Sequence, residues 1–242
     1  MLRQLLATSA LALATLAPLS ATAQDIPVGA IAPLTGPAAN SGEALRQGFM
    51  LAVKEWNEGK GDYVTPGAEH PTIALTVEDN NSKPEVGVSA AQRMITRNGI
   101  KLLIGDALHS HVTMALMELA PQFDLPILSA EPVSTLIADK VKSDPEKYAL
   151  YWKGNYNSSA YGETVHDFVN WAVEEGLIDA GGKKLAFVIE DTDYGHSNAD
   201  TITELFEADG WSVVASEAVA AGSTDFYPQL TKLKTAAPDL TL

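Results

Sequence analysis

Ile26-Pro27-Val28-Gly29-Ala30-Ile31-Ala32 runs directly into Pro33-Leu34-Thr35-Gly36-Pro37. A short, nearly continuous apolar run bounded by turn residues is the pattern of a strand covered on both faces, as in a parallel sheet. Over 41–57 the period changes. Leu45, Phe49, Ala52, Val53 and Trp56 recur at spacings of three and four and mark a helix with one core face. The same alternation continues along the chain. Further strands are expected over 72–77, 101–104, 126–128, 184–190, 211–215 and 239–242. Helices are expected from Pro84 to the Asn98-Gly99 stop (Val88, Ala91 and Ile95 inward), through Met114, Met117 and Leu119, and over 158–175, 198–208 and 225–234. Residues 105–111 read as a loop. Strand and helix in alternation predict an α/β fold of Rossmann-like parallel sheets flanked by helices.

The N-terminus has a different grammar. Arg3 precedes an apolar stretch over 5–16, Pro18 and Ser20 interrupt it, and Ala21-Thr22-Ala23 puts small residues at −3 and −1 ahead of Gln24. That is a secretory signal peptide over 1–23, too short in its apolar part for a membrane span. The expected organisation is therefore a signal peptide, a first lobe over 24–149 and a second over 150–242. The polar break Asp144-Pro145-Glu146 and the extended segment at 148–153 mark the border between the lobes. The strand opening at 239 has few residues, so the second lobe is expected to be incomplete, with a small sheet and an unpaired edge.

Composition narrows the function. Asp and Glu number 31 against 16 Lys and Arg, a net charge of −15. Nucleic acid is excluded as a partner because a phosphate backbone needs a basic footprint, and so is docking on an anionic membrane surface. The chain has no cysteine. Disulfides, thiolate nucleophiles and zinc ribbons are thereby excluded, as is a lipidated N-terminal Cys. A soluble, unlipidated protein of the periplasm is expected.

Catalytic patterns fail one by one. Gly195-His196-Ser197-Asn198-Ala199 resembles a nucleophile elbow. Residues 191–194 separate it from the strand end, however, and His196 is the last histidine, where such hydrolases place theirs after the serine. His109-Ser110-His111 has two imidazoles but needs a third ligand, with Asp106 the nearest carboxylate. Asp191-Thr192-Asp193-Tyr194-Gly195 opens like a calcium loop, yet Ile202 fills the closing glutamate position. The loop from Gly36 to Gly42 is followed by Glu43 where a phosphate-binding loop requires lysine. Gly59-Lys60-Gly61 has Val64 at the third glycine position of a dinucleotide fingerprint. No catalytic residue, metal or cofactor is expected. A binding crevice remains, beyond the carboxyl ends of the strands, where residues 35–42, 106–113 and 129–134 are rich in small polar side chains.

The stretch Val28 to Pro37, Gly42 at the first helix, Ile104-Gly105 before the polar loop, and Tyr194-Gly195 after the strand over 185–189 together resemble the type I periplasmic solute-binding proteins of the Leu/Ile/Val-binding kind. The resemblance implies two α/β lobes closing on a small organic solute, an amino acid or related polar or aromatic compound, which a monomer delivers to the permease of an ABC importer. A ligand-sensing protein of the same fold is the alternative, with a serine hydrolase using Ser197 as a third. By position, Ser41, His109, Ser110, Ser129, Ala130, Glu131, Pro132, Ser158 and Tyr194 fall where the family touches its ligand. His109 stands where a serine is usual and Pro132 where a threonine is, while Glu131 adds negative charge at the carboxylate seat. These departures point away from branched-chain amino acids, with His109 or Ser110 as a polar anchor. The family's chain crosses between lobes three times, and only the crossing near 145–155 is present. Weak or no binding by residues 24–242 is the expectation.

Overall fold

The computed structural model describes residues 25–65, 67–106 and 108–242; the expected signal peptide lies outside them. Two parallel sheets organise the chain. The first holds β1 (Ile26–Ala32), β2 (Ile73–Asp79), β3 (Leu102–Ile104), β4 (Ile127–Ser129) and β5 (Tyr151–Lys153) in the order β2-β1-β3-β4-β5. The second holds β6 (Lys184–Glu190), β7 (Ser212–Val219) and β8 (Leu240–Thr241) in the order β7-β6-β8. β1 is the hub of the first sheet, with Val28 level with Leu75 on one side and Leu102 on the other.

That order fixes where a ligand can enter. From β1 the chain moves one way to β2, then returns past β1 to β3, β4 and β5. Right-handed crossovers therefore place α1 (Ala39–Asn57) on one face and α2 (Pro84–Arg93), α3 (Ser110–Leu116) and α4 (Leu119–Phe123) on the other. The direction reverses between β1 and β3, and the loops leaving their carboxyl ends diverge there to open a crevice. The second sheet reverses in the same way at β6.

The main core lies on the α2–α4 side. Ile31, Met94, Leu103, Leu116, Met117 and Ile127 are wholly buried, joined by Ile137 from α5 (Thr135–Ser143) and by Tyr148. A second core joins α6 (Ser158–Glu174) and α7 (Asp193–Ala208) to β6, around Val169, Leu185, Phe187, Ile202 and Phe206. α8 (Tyr227–Ala236) rests on β7.

Several sequence expectations need correction. β5 pairs with β4 through Ile127–Tyr151 and Ser129–Lys153, so the first sheet continues to Lys153, beyond the border expected at 149. α1 buries only Gly42 fully, and Ala52 is exposed, because this helix covers its face of the sheet alone. In α2 the buried positions are Gly87, Ala90 and Ala91, followed by Met94 in a wide π-helical turn over Met94–Asn98. Val88 and Ile95 are only partly buried, at the margin of the core. The helix expected through Met114 and Leu119 is two helices. Pro121 has no N–H to donate to Met117, so α4 begins afresh at Leu119. α7 starts at Asp193 rather than 198, because the Thr192 hydroxyl caps it by accepting from Gly195 N at 3.4 Å. The acids once compared with a calcium loop thus include a first helical turn. β7 extends to Val219. α5 went unanticipated, although Ser134 accepting from Leu136 N is an ordinary N-cap.

Candidate functional site

Two buried or half-buried carboxylates set the loops around the first switch point. Asp79, at the end of β2, accepts from the backbone N–H of Leu34 at 2.8 Å, Thr35 at 3.1 Å and Asn81 at 2.8 Å, and from the Thr35 hydroxyl. Burial raises its pKa, but the hydrogen bonds from Thr35, Asn81 and Leu34 outweigh this and hold it below the usual carboxylate range. Asp106, fully buried after β3, accepts from Leu108 N at 2.5 Å and His109 N at 2.8 Å through Oδ1. Its Oδ2 meets the Asn80 amide and lies 3.2 Å from Nδ1 of His109. The His109 backbone and ring are both held by one carboxylate.

These loops form one wall of a cleft of about 480 Å³. His109, Ser110 and Glu131 line it from the first sheet, while Tyr161, Glu190 and Tyr194 line it from the second. His111 also lines it, with Nε2 donating to the Ser82 carbonyl at 3.4 Å, and its ring meets that of His109 edge-on at 5.2 Å. The cleft is bounded where the loop after β7 meets the loop after β1: a Cβ at Gly222 would stand 2.9 Å from Cγ of Pro37. Tyr161 packs edge-on against Tyr156 at 5.1 Å. The Tyr156 hydroxyl beside it, then burial, then the charge of neighbours including Glu131 push the Tyr161 phenol up to about 12.

The small hydroxyl residues behave differently from one another. Ser110 faces the cleft, and its Oγ accepts from Ser134 N at 3.2 Å. Ser129 is fully buried, its hydroxyl 2.5 Å from that of Tyr151. Ser158 is buried and donates to the Val133 carbonyl at 3.1 Å. Ser197 donates to Ser158 at 3.1 Å and accepts from Thr135 N at 3.0 Å, which ties α7 to the first sheet's side of the molecule. The hydroxyl weighed as a nucleophile is thus enclosed among hydroxyls and a backbone N–H, while His196 pairs with Asp191 at 2.9 Å. Ser41 is exposed on α1, and neither Ala130 nor Pro132 lines the cleft. Of the nine positions expected from sequence, the cleft brings together His109, Ser110, Glu131 and Tyr194. It adds His111, Tyr161, Glu190 and Ser82. Glu190 ends a strand at a switch point, a place the sequence could have suggested, whereas nothing in the pattern of α6 marks Tyr161.

The crossing between the sheets is itself strapped. The Lys153 ammonium donates to the carbonyls of Asn155 at 2.8 Å and Tyr156, and to Oδ1 of Asn157 at 2.9 Å. Burial draws its pKa down. Among the described residues, no three His, Asp or Glu side chains come together to hold a metal ion. None of the described helices is long and apolar enough to cross a membrane.

Comparison with known proteins places this architecture. The Leu/Ile/Val-binding protein homolog 3 of Brucella melitensis is 28% identical over 231 residues, covering 94% of this chain and 56% of that protein. The chain spans about half the length of the curated relatives it matches. Among solved structures, a solute-binding protein of an ABC transporter from Rhodopseudomonas palustris, in complex with 3,4-dihydroxy benzoic acid, superposes with a TM-score of 0.70 at 22% identity, over 90% of this chain and 53% of that one. A branched-chain amino acid transporter substrate-binding protein of Streptococcus pneumoniae, in complex with isoleucine, gives 0.69 at 23%, over 87% and 54%. Residues 25–242 match the sequence profile of the periplasmic binding protein family, and the chain belongs to that family.

Proposed function

We propose that the protein captures a small organic solute in the cleft between its two sheets and delivers it, as a monomer in the periplasm, to the permease of an ABC importer. The observation that carries this reading is the position of the cleft: it opens at the carboxyl ends of β1, β3 and β6, the points where strand order reverses, and is lined from both sheets. Residues on two bodies joined by one described crossing suit a hinge whose closed state a ligand stabilises. The relatedness to a Leu/Ile/Val-binding protein homolog supports the same reading. The two lobes are then the bodies built on the first and second sheets, meeting after Lys153. His109 and Ser110 anchor the polar part of the solute, Tyr194 and Tyr161 cover it, and Glu131 flanks it. Ser129 and Ser158 serve as supports behind the wall.

Calorimetric titration of the purified protein against amino acids, amides, aromatic acids and amines tests the proposal. One class should give saturable one-to-one binding, weak because a single described crossing joins the lobes, and raise the melting temperature with ligand concentration. Flat titrations and unchanged melting across all four classes would contradict it.

A further inference from the structure

We infer that the solute is a small organic cation, an ammonium or related group without a free carboxylate; this rests on the solute-capture reading above. A bound carboxylate needs cationic side chains or unengaged N–H and O–H donors around it. Among the described residues lining the cleft, none is Lys or Arg. The hydroxyls nearest the expected carboxylate seat are already engaged. Ser129 is paired with Tyr151, Ser158 donates to the Val133 carbonyl, and Ser197 donates to Ser158. Pro132 has no N–H to offer. The N-terminus of α7 is capped by Thr192 and carries Asp193 in its first turn, which offsets its positive end. Ser110 and Thr192 keep their hydroxyl protons and the Ser82 hydroxyl is unpartnered, so the side-chain hydroxyls that remain are neutral donors facing two carboxylates.

What the cleft offers instead is acceptors. Glu131 enters from the first sheet and Glu190 from the second. The Nδ1–H of His109 is directed at Asp106, so in the neutral ring Nε2 carries a lone pair. The Ser82 hydroxyl oxygen, at the cleft wall and shut off from solvent, has no partner among the described residues. The tyrosine rings at 161 and 194 present π faces, which attract ammonium and guanidinium groups. The net charge of −15 adds long-range attraction for a cation at low salt.

Matched pairs separate charge from shape. Benzylamine against benzoate and 3-methylbutylamine against 3-methylbutanoate are titrated into the full protein at neutral pH and low salt, with leucine as the zwitterion. Each amine should bind at least about tenfold tighter than its acid, and E131Q should weaken the amines by roughly tenfold. Glu131 is exposed and its side chain makes no hydrogen bond among the described residues, so E131Q should melt as the parent does. Equal or tighter binding of the acids, or of leucine, overturns the inference and leaves solute capture standing. Absence of binding by both pairs and by the wider panel overturns the two together.

Discussion

His109 shows how little of a cleft residue's geometry lies in the residue itself. Its ring is aimed by Asp106, which also fixes the backbone at Leu108 and His109, so one buried carboxylate decides both the loop and the side chain. H109A should therefore weaken solute binding by roughly tenfold or more, the loss of about one charge-assisted hydrogen bond, with little change in melting temperature. Unchanged affinity in calorimetry would remove the ring from the site. At this scale the cleft lining was legible where a side chain follows a strand end at a switch point, as for His109 and Ser110, while Tyr194 was pointed to by the family resemblance. The sequence was uninformative for Ser129 and Ser158. Whether a hydroxyl faces the cleft or a buried neighbour depends on strand partners distant in sequence: Tyr151 reaches Ser129 only because β5 pairs with β4. Tyr161 was illegible for the same reason, since its place is set by how α6 packs on α7.

At the scale of elements, the two sheets share one device. Gly42, early in α1, lies so close to β1 that a Cβ would sit 2.0 Å from the Pro33 carbonyl oxygen, and Gly195, early in α7, would clash equally with the Glu190 carbonyl oxygen. Each helix can press its first turns onto the end of the preceding strand only because that Cβ is missing, and this places the loops that line the cleft. G42A should cost about 1–3 kcal/mol or more in urea denaturation, because backbone must give way. G48A, in the same helix with nothing within 4 Å of its Cβ, should instead stabilise by about 0.5–1 kcal/mol. The same midpoint for both variants would show that the close approach is not needed. Helix and strand types were legible from period alone, and the long strands Ile26–Ala32 and Lys184–Glu190 were placed to the residue. Boundaries failed where a single residue governs hydrogen bonding: Thr192 capping α7, Pro121 dividing α3 from α4, and Ser134 starting α5. Ala52 on α1 failed differently. Periodicity reports a face that can be buried, and exposure depends on whether a second layer covers it.

For the whole molecule, the decisive property is that two sheets, each reversing its strand order, turn those reversals towards one another. The alternation of strand and helix made the class of fold legible, and the match of residues 25–242 to the periplasmic binding protein family agrees with it. The lobe border was less legible, because Tyr151–Lys153 looks like the start of something new yet completes the first sheet. The central claim, that a solute is held between the two bodies, is tested most directly by hydroxyl-radical footprinting with and without a saturating ligand found by titration. Tyr194 and Tyr161 line the cleft at 43% and 37% exposure, while Tyr227 at 78% and Trp152 at 65% lie outside it as internal controls. Ligand should protect His109 and His111 on the first-sheet wall together with Tyr194 and Tyr161 on the second, and leave Tyr227 and Trp152 oxidised as before. Protection confined to one side of the cleft, or spread equally over the cleft residues and the two controls, would contradict capture between the lobes.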